Sequence, residues 1–307
     1  MSRRHKVTAV ASALLILSMV GSVLLLRAVD QVRSGATLEE FLYISSPALV
    51  KRLSLGHQGL VADIYWTRAV QYYGQLHHRG GGRFELLWPL LNITTQLDPH
   101  IIPAYQYGAT FLTAEPPNGA GMVDKAIQLV EYGIEHNPDE WRLYEDLGFI
   151  YYSNLKDYKK AAEVFLRGSK RPNAHPFLGV LAAQAAEHGG ERQTAQLLWA
   201  AIYETTPDKD IRVTATWHLR ALKVDETVTQ LNRLVETYRQ RNGHLPASFL
   251  DMVRAGLLPG IPLDPDGHEY QLESSGRVVV RNPENFPFVE KGLPEGYVPT
   301  NIIPNHS

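Results

Sequence analysis

Four prolines that follow helix-like runs recur along the middle of this 307-residue chain at a nearly constant spacing. Pro99, Pro138, Pro172 and Pro207 lie 39, 34 and 35 residues apart. Self-similarity with a period of about 20–50 residues indicates a repeat architecture, in which each unit buries its apolar face against its neighbours. The spacing therefore predicts a stack of similar helical units between residues 60 and 207.

The best-formed unit spans residues 141–172 and has the pattern of two short amphipathic helices. Each helix carries apolar and small residues at the i, i+3, i+4, i+7 spacing of one helix face. These residues are Tyr144, Leu147, Gly148 and Tyr151, then Ala161, Phe165 and Gly168. The small residues Gly148 and Ala161 predict that the two backbones approach closely, with Tyr144, Tyr151 and Phe165 filling the space around them.

The pattern of an aromatic residue, Leu-Gly, Tyr, Ala, Phe, a small residue and Pro resembles the tetratricopeptide repeat (TPR). The second helices of two further units share one set of offsets. The matching sets are Ala126, Val130, Gly133 and Pro138, and Ala195, Trp199, Ile202 and Pro207. The resemblance implies a right-handed superhelix of about four repeats over residues 60–207, with residues 210–223 as a capping helix.

TPR arrays are adaptor surfaces, and the resemblance implies that the first helix of each repeat lines a concave groove for a peptide or a partner protein. The positions that the family pattern assigns to this groove are Thr67, Gln71, Gln106, Thr110, Arg142, Glu145, Phe149, Tyr152, Phe177, Val180 and Gln184. This mixed lining disfavours a clamp of lysines and asparagines for a C-terminal carboxylate. Phe149 and Tyr152 are the best candidates, because exposed aromatic side chains make good contact anchors. The alternative is that these side chains face only solvent or a neighbouring helix.

The N-terminus has a basic cluster at residues 2–6, followed by an apolar run over residues 7–26 without a charged side chain. A helix of this length measures about 30 Å, enough to cross a bilayer. The alternative is a cleaved signal peptide, whose apolar core is usually about 7–15 residues long and ends at an A-x-A-like site, which this run lacks. The run therefore predicts an uncleaved transmembrane anchor.

The charges around this run predict its orientation. Arg3, Arg4 and Lys6 hold the N-terminus in the cytoplasm by the positive-inside rule, while Arg27 and Arg33 oppose them more weakly. The prediction is a single-pass inner (cytoplasmic) membrane protein whose body is extracytoplasmic, in the periplasm if the source is a bacterium.

The composition changes after Val224. An amphipathic helix that stops at Asn242-Gly243 is followed by a second, shorter helix, a turn-rich stretch over residues 257–270 and a hairpin signal around Gly276. This order resembles the C-terminal part of type II secretion pseudopilins, although the pilin N-terminal start is missing. The resemblance implies a small α+β module and, as an alternative function, a secretion or pilus-type assembly component.

These patterns predict a mostly α fold in five parts. Residues 1–27 form a cytoplasmic stub and the anchor, and residues 28–59 form an ordered connector whose apolar segment 48–55 packs on the first repeat. Residues 60–223 form the TPR-like α-solenoid with its cap, residues 224–283 the α+β module, and residues 284–307 an extended tail.

Composition limits the chemistry. The absence of cysteine excludes disulfides, thiol catalysis and cysteine-ligated zinc, and a net charge of -2 gives no basic excess for nucleic acid. The stretch 264–267, Asp-Pro-Asp-Gly, has two of the acids of a calcium loop, but its proline favours an ordinary turn. His77 and His78 are adjacent, so on a helix they point about 100° apart and are badly placed to share a metal.

The sequence contains no Gly-x-Ser-x-Gly, His-Glu-x-x-His or phosphate-loop motif. The predicted function is therefore a membrane-anchored, non-catalytic scaffold without a cofactor, which binds a protein partner in the cell envelope. An accessory enzyme that acts on envelope glycans or peptides is a third hypothesis, and no motif supports it.

Overall fold

The computed structural model describes residues 15, 17–22, 25, 46–80 and 82–298. The described chain is mostly helical, which confirms the mostly α part of the predicted fold class. Most of the predicted anchor, the first part of the connector and the end of the tail lie outside the described residues. Within the described ranges, no helix combines the length and the apolar character that crossing a bilayer requires. The chain forms two compact units, residues 1–121 and residues 122–307.

Residues 46–121 of the first unit contain four helices. Ser46 caps the first of them, since its side chain accepts a hydrogen bond from the Leu49 amide, and Pro47 occupies the first turn. The second and third helices pack as a hairpin, and the first packs on the third, as predicted for the apolar segment of the connector. The helices are α1 (Pro47–Leu53), α2 (Gln58–His78), α3 (Leu87–Leu97) and α4 (Ile102–Thr113).

The second unit begins with six helices, each of which packs on the next along the chain. A π-helical turn, Ile150–Leu155, continues α6. The six helices are α5 (Val123–His136), α6 (Trp141–Phe149), α7 (Tyr158–Ser169), α8 (Phe177–His188), α9 (Arg192–Thr205) and α10 (Lys209–Asn242).

The hairpin of α6 and α7 confirms the predicted packing of residues 141–172. A Cβ atom on Gly148 would overlap the ring of Phe165, and one on Gly168 would lie 2.6 Å from Cβ of Tyr144. Ala161 and the Phe165 ring are buried. Because a larger side chain at either glycine would force these helices apart, the small residues determine how closely the hairpin closes.

The two helices predicted on either side of Val224 are one continuous helix, so the prediction of a break there is wrong. Asp208 caps the start of α10 by accepting hydrogen bonds from two amides of its first turn, and Gly243 ends it at a φ of 78°. No glycine or proline lies between these two points, so nothing interrupts the helix. The first half of α10 belongs to the alanine-rich core of α7–α9, and the second half to the core of the C-terminal module.

The C-terminal module contains the short helix and the hairpin that the sequence predicts. Ser248 and Asp251 form a capping box at the start of the short helix, and Gly276 turns the hairpin at a φ of 83°. Phe286 and Val289 are buried in the module, so the start of the predicted tail is part of its core. The elements are α11 (Phe249–Arg254), the antiparallel strands β1 (Gln271–Leu272) and β2 (Val278–Val279), and a 3-10 turn (Pro283–Asn285).

Candidate functional site

In the first unit, three of the four predicted groove residues are exposed. Thr67 and Gln71 lie on the face of α2 opposite its buried residues, and Thr110 is exposed on α4. Gln106 is half-buried, and its carbonyl accepts a hydrogen bond from the Thr110 hydroxyl at 3.1 Å. The structure thus places polar, mostly exposed side chains at the positions that the family pattern assigns to the groove.

Four aromatic rings lie between α2 and α4 and form what we call the aromatic seam: Trp66, Tyr73, Tyr107 and Phe111. The Tyr73 and Phe111 rings stack with centroids 3.9 Å apart, and Tyr107 lies 6.4 Å from both Trp66 and Phe111. Tyr107 is 58% exposed, although its ring is large and mostly apolar. The seam therefore offers solvent a row of flat apolar surfaces beside the polar groove residues.

One end of the seam is held firmly by the fold. The Tyr73 hydroxyl donates a hydrogen bond to the Asn118 carbonyl, 2.9 Å away, and its ring lies 5.6 Å from the buried Phe84. The Tyr72 hydroxyl binds the Arg83 carbonyl at 2.8 Å and so fixes the loop that carries Phe84. Rings held in this way lose little conformational entropy when they bind a partner.

The sequence predictions did not include this seam and gave no role to Tyr107 or Phe111. Their i, i+4 spacing places them on one face of α4, and this signal was available in the sequence. The exposure of these two rings could not be predicted from the sequence, because it depends on how far apart the rings hold α2 and α4.

In the second unit, Arg142 and Glu145 lie near the start of α6. The Arg142 guanidinium pairs with Glu140 at 2.9 Å and lies over the Trp141 ring, 4.6 Å from its centroid. Burial raises the pKa of the Glu145 carboxyl, while His175 and Arg142 partly offset this shift. Both predicted groove residues are thus engaged with neighbours at this end of the helix.

The two aromatic residues that the sequence favoured have different surroundings. Phe149 is 40% exposed and packs edge-on against Phe165, with centroids 5.3 Å apart. The Tyr152 hydroxyl is hydrogen-bonded to Nδ1 of His188, and its ring packs against Tyr158. Phe149 therefore presents a free face, whereas Tyr152 joins the π-helical turn to α7 and α8.

On α8, Phe177 is exposed and Gln184 is half-buried. Val180 is only 3% exposed and belongs to the alanine-rich core, so its assignment to the groove is wrong. The small residues around Val180 let the neighbouring helices close over it.

The Asp264 loop has the hydrogen bonds of a turn. Asp264 Oδ1 accepts from the amides of Asp266 and His268 at 2.8 and 2.9 Å, which favours the turn interpretation of residues 264–267. Asp266 pairs with Arg220 and accepts a hydrogen bond from Asn285. Throughout the described part of the chain, no three His, Cys, Asp or Glu side chains are placed to hold a metal ion together.

A buried polar cluster joins α8, α9 and α10. Nδ1 of His218 lies 2.8 Å from the Glu187 carboxylate, which also accepts a hydrogen bond from the Trp199 indole at 3.1 Å. The His218 ring stacks between Trp199 and Phe288, at centroid distances of 4.1 and 3.8 Å. Because this cluster is shielded from solvent, we assign it to stability and not to binding.

Comparisons with protein-family models and with curated protein sequences give no match to this chain. The function must therefore be inferred from the surfaces of the two units. Of these surfaces, the aromatic seam combines the exposed Tyr107 ring and three partly buried rings with exposed polar residues on the same helices, and it is the best candidate for a binding site.

Proposed function

We propose that this protein is a membrane-anchored, non-catalytic TPR-like adaptor that binds an extended segment of a partner protein in the cell envelope. The observation that carries the proposal is the aromatic seam, in which Tyr107 and its neighbours expose flat apolar surfaces on a rigid support. Tyr and Trp are enriched among the residues that dominate protein–protein binding energy.

A contact that recurs in both units supports the repeat part of the proposal. The Tyr105 hydroxyl donates to the Pro99 carbonyl at 3.0 Å, and the Tyr144 hydroxyl donates to the Pro138 carbonyl at 2.9 Å. Both tyrosines are buried, and both lie six residues after their proline. The same bond at the same place in two successive segments is expected of units with a common design.

The chemistry of the seam favours an extended, weakly charged ligand. Aromatic-lined grooves bind extended segments by packing against proline or other apolar side chains. Gln71, Thr67 and Thr110 flank the rings and supply donors and acceptors for the main chain of such a ligand. The predicted groove positions of the first unit include no charged residue. A charged peptide tail is therefore a less suitable ligand than a weakly charged segment.

The anchor is the second part of the proposal and rests on residues 7–26 and the basic cluster before them. It places the N-terminus in the cytoplasm and both units on the other side of the inner membrane. Because the chain has no native cysteine, a single introduced cysteine reports the side of the membrane. Thiol labelling of Gln96→Cys in intact cells or spheroplasts, with a membrane-impermeant reagent, is expected to succeed without lysis.

Site-specific crosslinking followed by binding measurements tests the seam. A photo-crosslinking residue at position 107 of the full chain in native membranes should identify a discrete partner, whereas the same residue at position 96 on α3 should not. Purified partner should then bind Tyr107→Ala at least about fivefold more weakly than the parent chain, because a central aromatic anchor contributes more than about 1 kcal/mol. Gln96→Ala is the matched control, and equal affinities of the two variants would refute the assignment of the seam.

The groove positions of the second unit need their own test. Phe149→Ala, which removes the ring with a free face, should weaken binding of the same partner. Tyr152→Phe removes only the hydroxyl that binds His188 and should leave the affinity unchanged. Equal affinity of the parent chain and Phe149→Ala would restrict the binding site to the first unit.

A second candidate function, an assembly component that acts through the pseudopilin-like C-terminal module, is favoured by three exposed apolar side chains. Leu250, Ile261 and Leu263 are 44%, 43% and 56% exposed on α11 and the loop that follows it. Because α10 continues past residue 224, deleting the module would cut this helix, so a point substitution is the cleaner test. Leu263→Glu should remove the full chain from a high-molecular-mass envelope complex, whereas Ser274→Glu, in an exposed turn of the same module, should not.

A further inference from the structure

The first unit begins with an exposed apolar surface that precedes the residues of the aromatic seam along the chain. We call it the N-terminal apolar surface, and it spans α1, the following turn and the start of α2. Its side chains are 44–85% exposed and all aliphatic: Leu49, Leu53, Leu55, Leu60 and Ile64. Five such residues within sixteen positions are a high density of exposed apolar side chains, and exposed apolar regions mark interaction sites.

Helix geometry places these side chains away from the core of the unit. Leu49 and Leu53 lie one turn apart on α1, on a different side from the buried Val50. Leu60 and Ile64 lie one turn apart on α2, opposite its buried face. Neither pair is therefore used to hold the unit together.

Leu55 is the most informative residue of this surface. It is 85% exposed and has a φ of 46°, in the left-handed region that favours glycine and asparagine. A leucine here has a conformational cost and a hydration cost, and its high exposure means that packing against the described residues offsets neither. The side chain is therefore better explained by a contact that the described residues do not provide.

The charges next to this surface indicate what it contacts. Arg52, exposed in the last turn of α1, lies about 60° around the helix from Leu49, and the exposed Lys51 lies in the same turn on the other side of the helix. Aliphatic side chains bordered by a basic residue are typical of segments that lie in the interface of an anionic bilayer. The hydrocarbon stem of Arg52 can follow the apolar surface while its charge reaches lipid phosphates.

The position of the surface in the chain points to the same ligand. Only residues 27–45 separate it from the proposed anchor, and such a segment spans at most about 65 Å even when fully extended. A tether of this length keeps the surface at a high effective concentration near the bilayer, so a weak affinity is enough. This step rests on the anchor in the proposed function.

We propose that the N-terminal apolar surface docks on the anionic phospholipid surface of the membrane that holds the anchor. Leu49, Leu53 and Leu55 enter the headgroup region, and Arg52 contacts phosphate groups. Docking there fixes the first unit, and with it the aromatic seam, close to the membrane, so the seam meets partners that emerge from or lie along the bilayer.

Fluorescence quenching in vesicles tests the docking, and the absence of native cysteine makes the labelling specific. The full-length Leu55→Cys chain is labelled with a small environment-sensitive fluorophore and reconstituted into phosphatidylcholine vesicles with phosphatidylglycerol. A nitroxide on the lipid headgroup should quench the label at position 55 at least about threefold more strongly than a label at position 96 on α3, and iodide should show the reverse order. Circular dichroism confirms that both labelled chains are folded.

The outcomes separate the docking from the anchor. If the chain does not float with the vesicles, the anchor fails, and the proposed function fails with it. If it floats but the labels at positions 55 and 96 respond equally to both quenchers, only the docking is refuted. A label at position 55 that is shielded from both quenchers also refutes it, because a protein surface then covers Leu55.

Substituting the basic residues tests the role of charge. Lys51→Gln with Arg52→Gln should reduce headgroup quenching at position 55 by at least about threefold in phosphatidylglycerol vesicles, with little change in vesicles of phosphatidylcholine alone. Lys170→Gln with Arg171→Gln, a basic pair in the second unit, is the matched control. Quenching that is the same with and without phosphatidylglycerol would refute the anionic-lipid assignment.

Discussion

The α2–α4 region of the first unit and the α7–α9 region of the second are both made of short packed helices, yet they use opposite side chains at their contacts. The first has aromatic rings between its helices, and Tyr107 stays more than half exposed. The second has alanines that are almost fully buried: Ala161, Ala182, Ala183, Ala186 and Ala195. Small residues let helices close until no surface is left for a ligand, whereas rings keep helices apart and remain partly accessible. We therefore expect stability to depend more on the second region and recognition more on the first.

The largest difference in the loss of stability is expected between substitutions of two tryptophans, one in each region. Trp199 is fully buried, binds Glu187 and stacks on His218, so Trp199→Ala should lower the free energy of unfolding by about 3–5 kcal/mol. Trp66 is half-buried in the seam, and Trp66→Ala should cost only about 1 kcal/mol. Hydrogen exchange of the α9 and α2 amides in the full chain measures each effect locally. Similar losses at both sites would contradict the contrast between the regions.

Substitutions of two glycines, one in each region, should give the next largest difference in stability. Gly148→Ala places a methyl group against the buried Phe165 ring and should destabilise α6 and α7 by about 1–3 kcal/mol. Gly74→Ala on α2 has nothing within 4 Å of the new Cβ atom, so it should be neutral or stabilise the helix by up to about 1 kcal/mol. Urea unfolding followed by hydrogen exchange separates the two effects. A destabilised Gly74→Ala variant would mean that the first region is packed as tightly as the second.

The C-terminal module provides a pH-dependent test of stability in the second unit. Burial raises the pKa of Asp225 from 3.8 to about 6, although its carboxylate accepts hydrogen bonds from the amides of Lys291 and Glu290. Since the folded chain then binds a proton more tightly than the unfolded chain, the contribution of Asp225 to stability is greatest below about pH 4 and is lost as the pH rises through about 6.

Asp225→Asn removes this titration, because the amide oxygen still accepts from the two backbone groups and carries no proton to lose. The variant should match the parent chain near pH 4 and exceed its free energy of unfolding by about 1–2 kcal/mol near pH 7. Urea unfolding across this range measures the difference, with Glu226→Gln, exposed on the same helix, as the control. A constant difference between parent and variant at all pH values would show that Asp225 does not titrate in this window.

The smallest effect on stability is expected where the effect on binding is greatest. Tyr107→Ala should change the free energy of unfolding by no more than about 0.5 kcal/mol, since most of its ring already faces solvent. Leu197→Ala, at a more exposed apolar residue in the second region, should change neither stability nor partner affinity. Urea unfolding and titration with the crosslinked partner measure both properties. If Leu197→Ala weakened binding as much as Tyr107→Ala, recognition would not be confined to the aromatic side chains.

Local patterns were enough to predict the helical hairpins and the contacts that close them. The spacing of Gly148, Ala161 and Phe165 predicts a close approach of the two helices with the ring beside the small residues, because helix periodicity places all three on facing sides. The capped short helix after Ser248 and the hairpin around Gly276 were also visible, since each depends on neighbours in sequence.

Features that depend on distant partners could not be predicted in this way. The Asp225 carboxylate binds the amides of residues 290 and 291, and His218 stacks on Phe288, seventy positions further along the chain. Val180 matched a surface position of the repeat pattern, but the alanines around it closed the surface. Conversely, the exposure of Tyr107 follows from the size of rings on another helix. In each case the contact that matters joins residues on different segments, and the pattern of apolar residues within one segment does not show which other segment it will meet.

The continuous helix α10 has a mechanical consequence. Its 34 residues span about 51 Å, and one half is packed among α7–α9 while the other half carries the C-terminal module. A rod held by a core at each end rotates or shifts as one piece, so a load applied to the module reaches the helical hairpins without a hinge to absorb it. In the membrane-anchored adaptor that we propose, such a rod would transmit force and displacement as well as spacing.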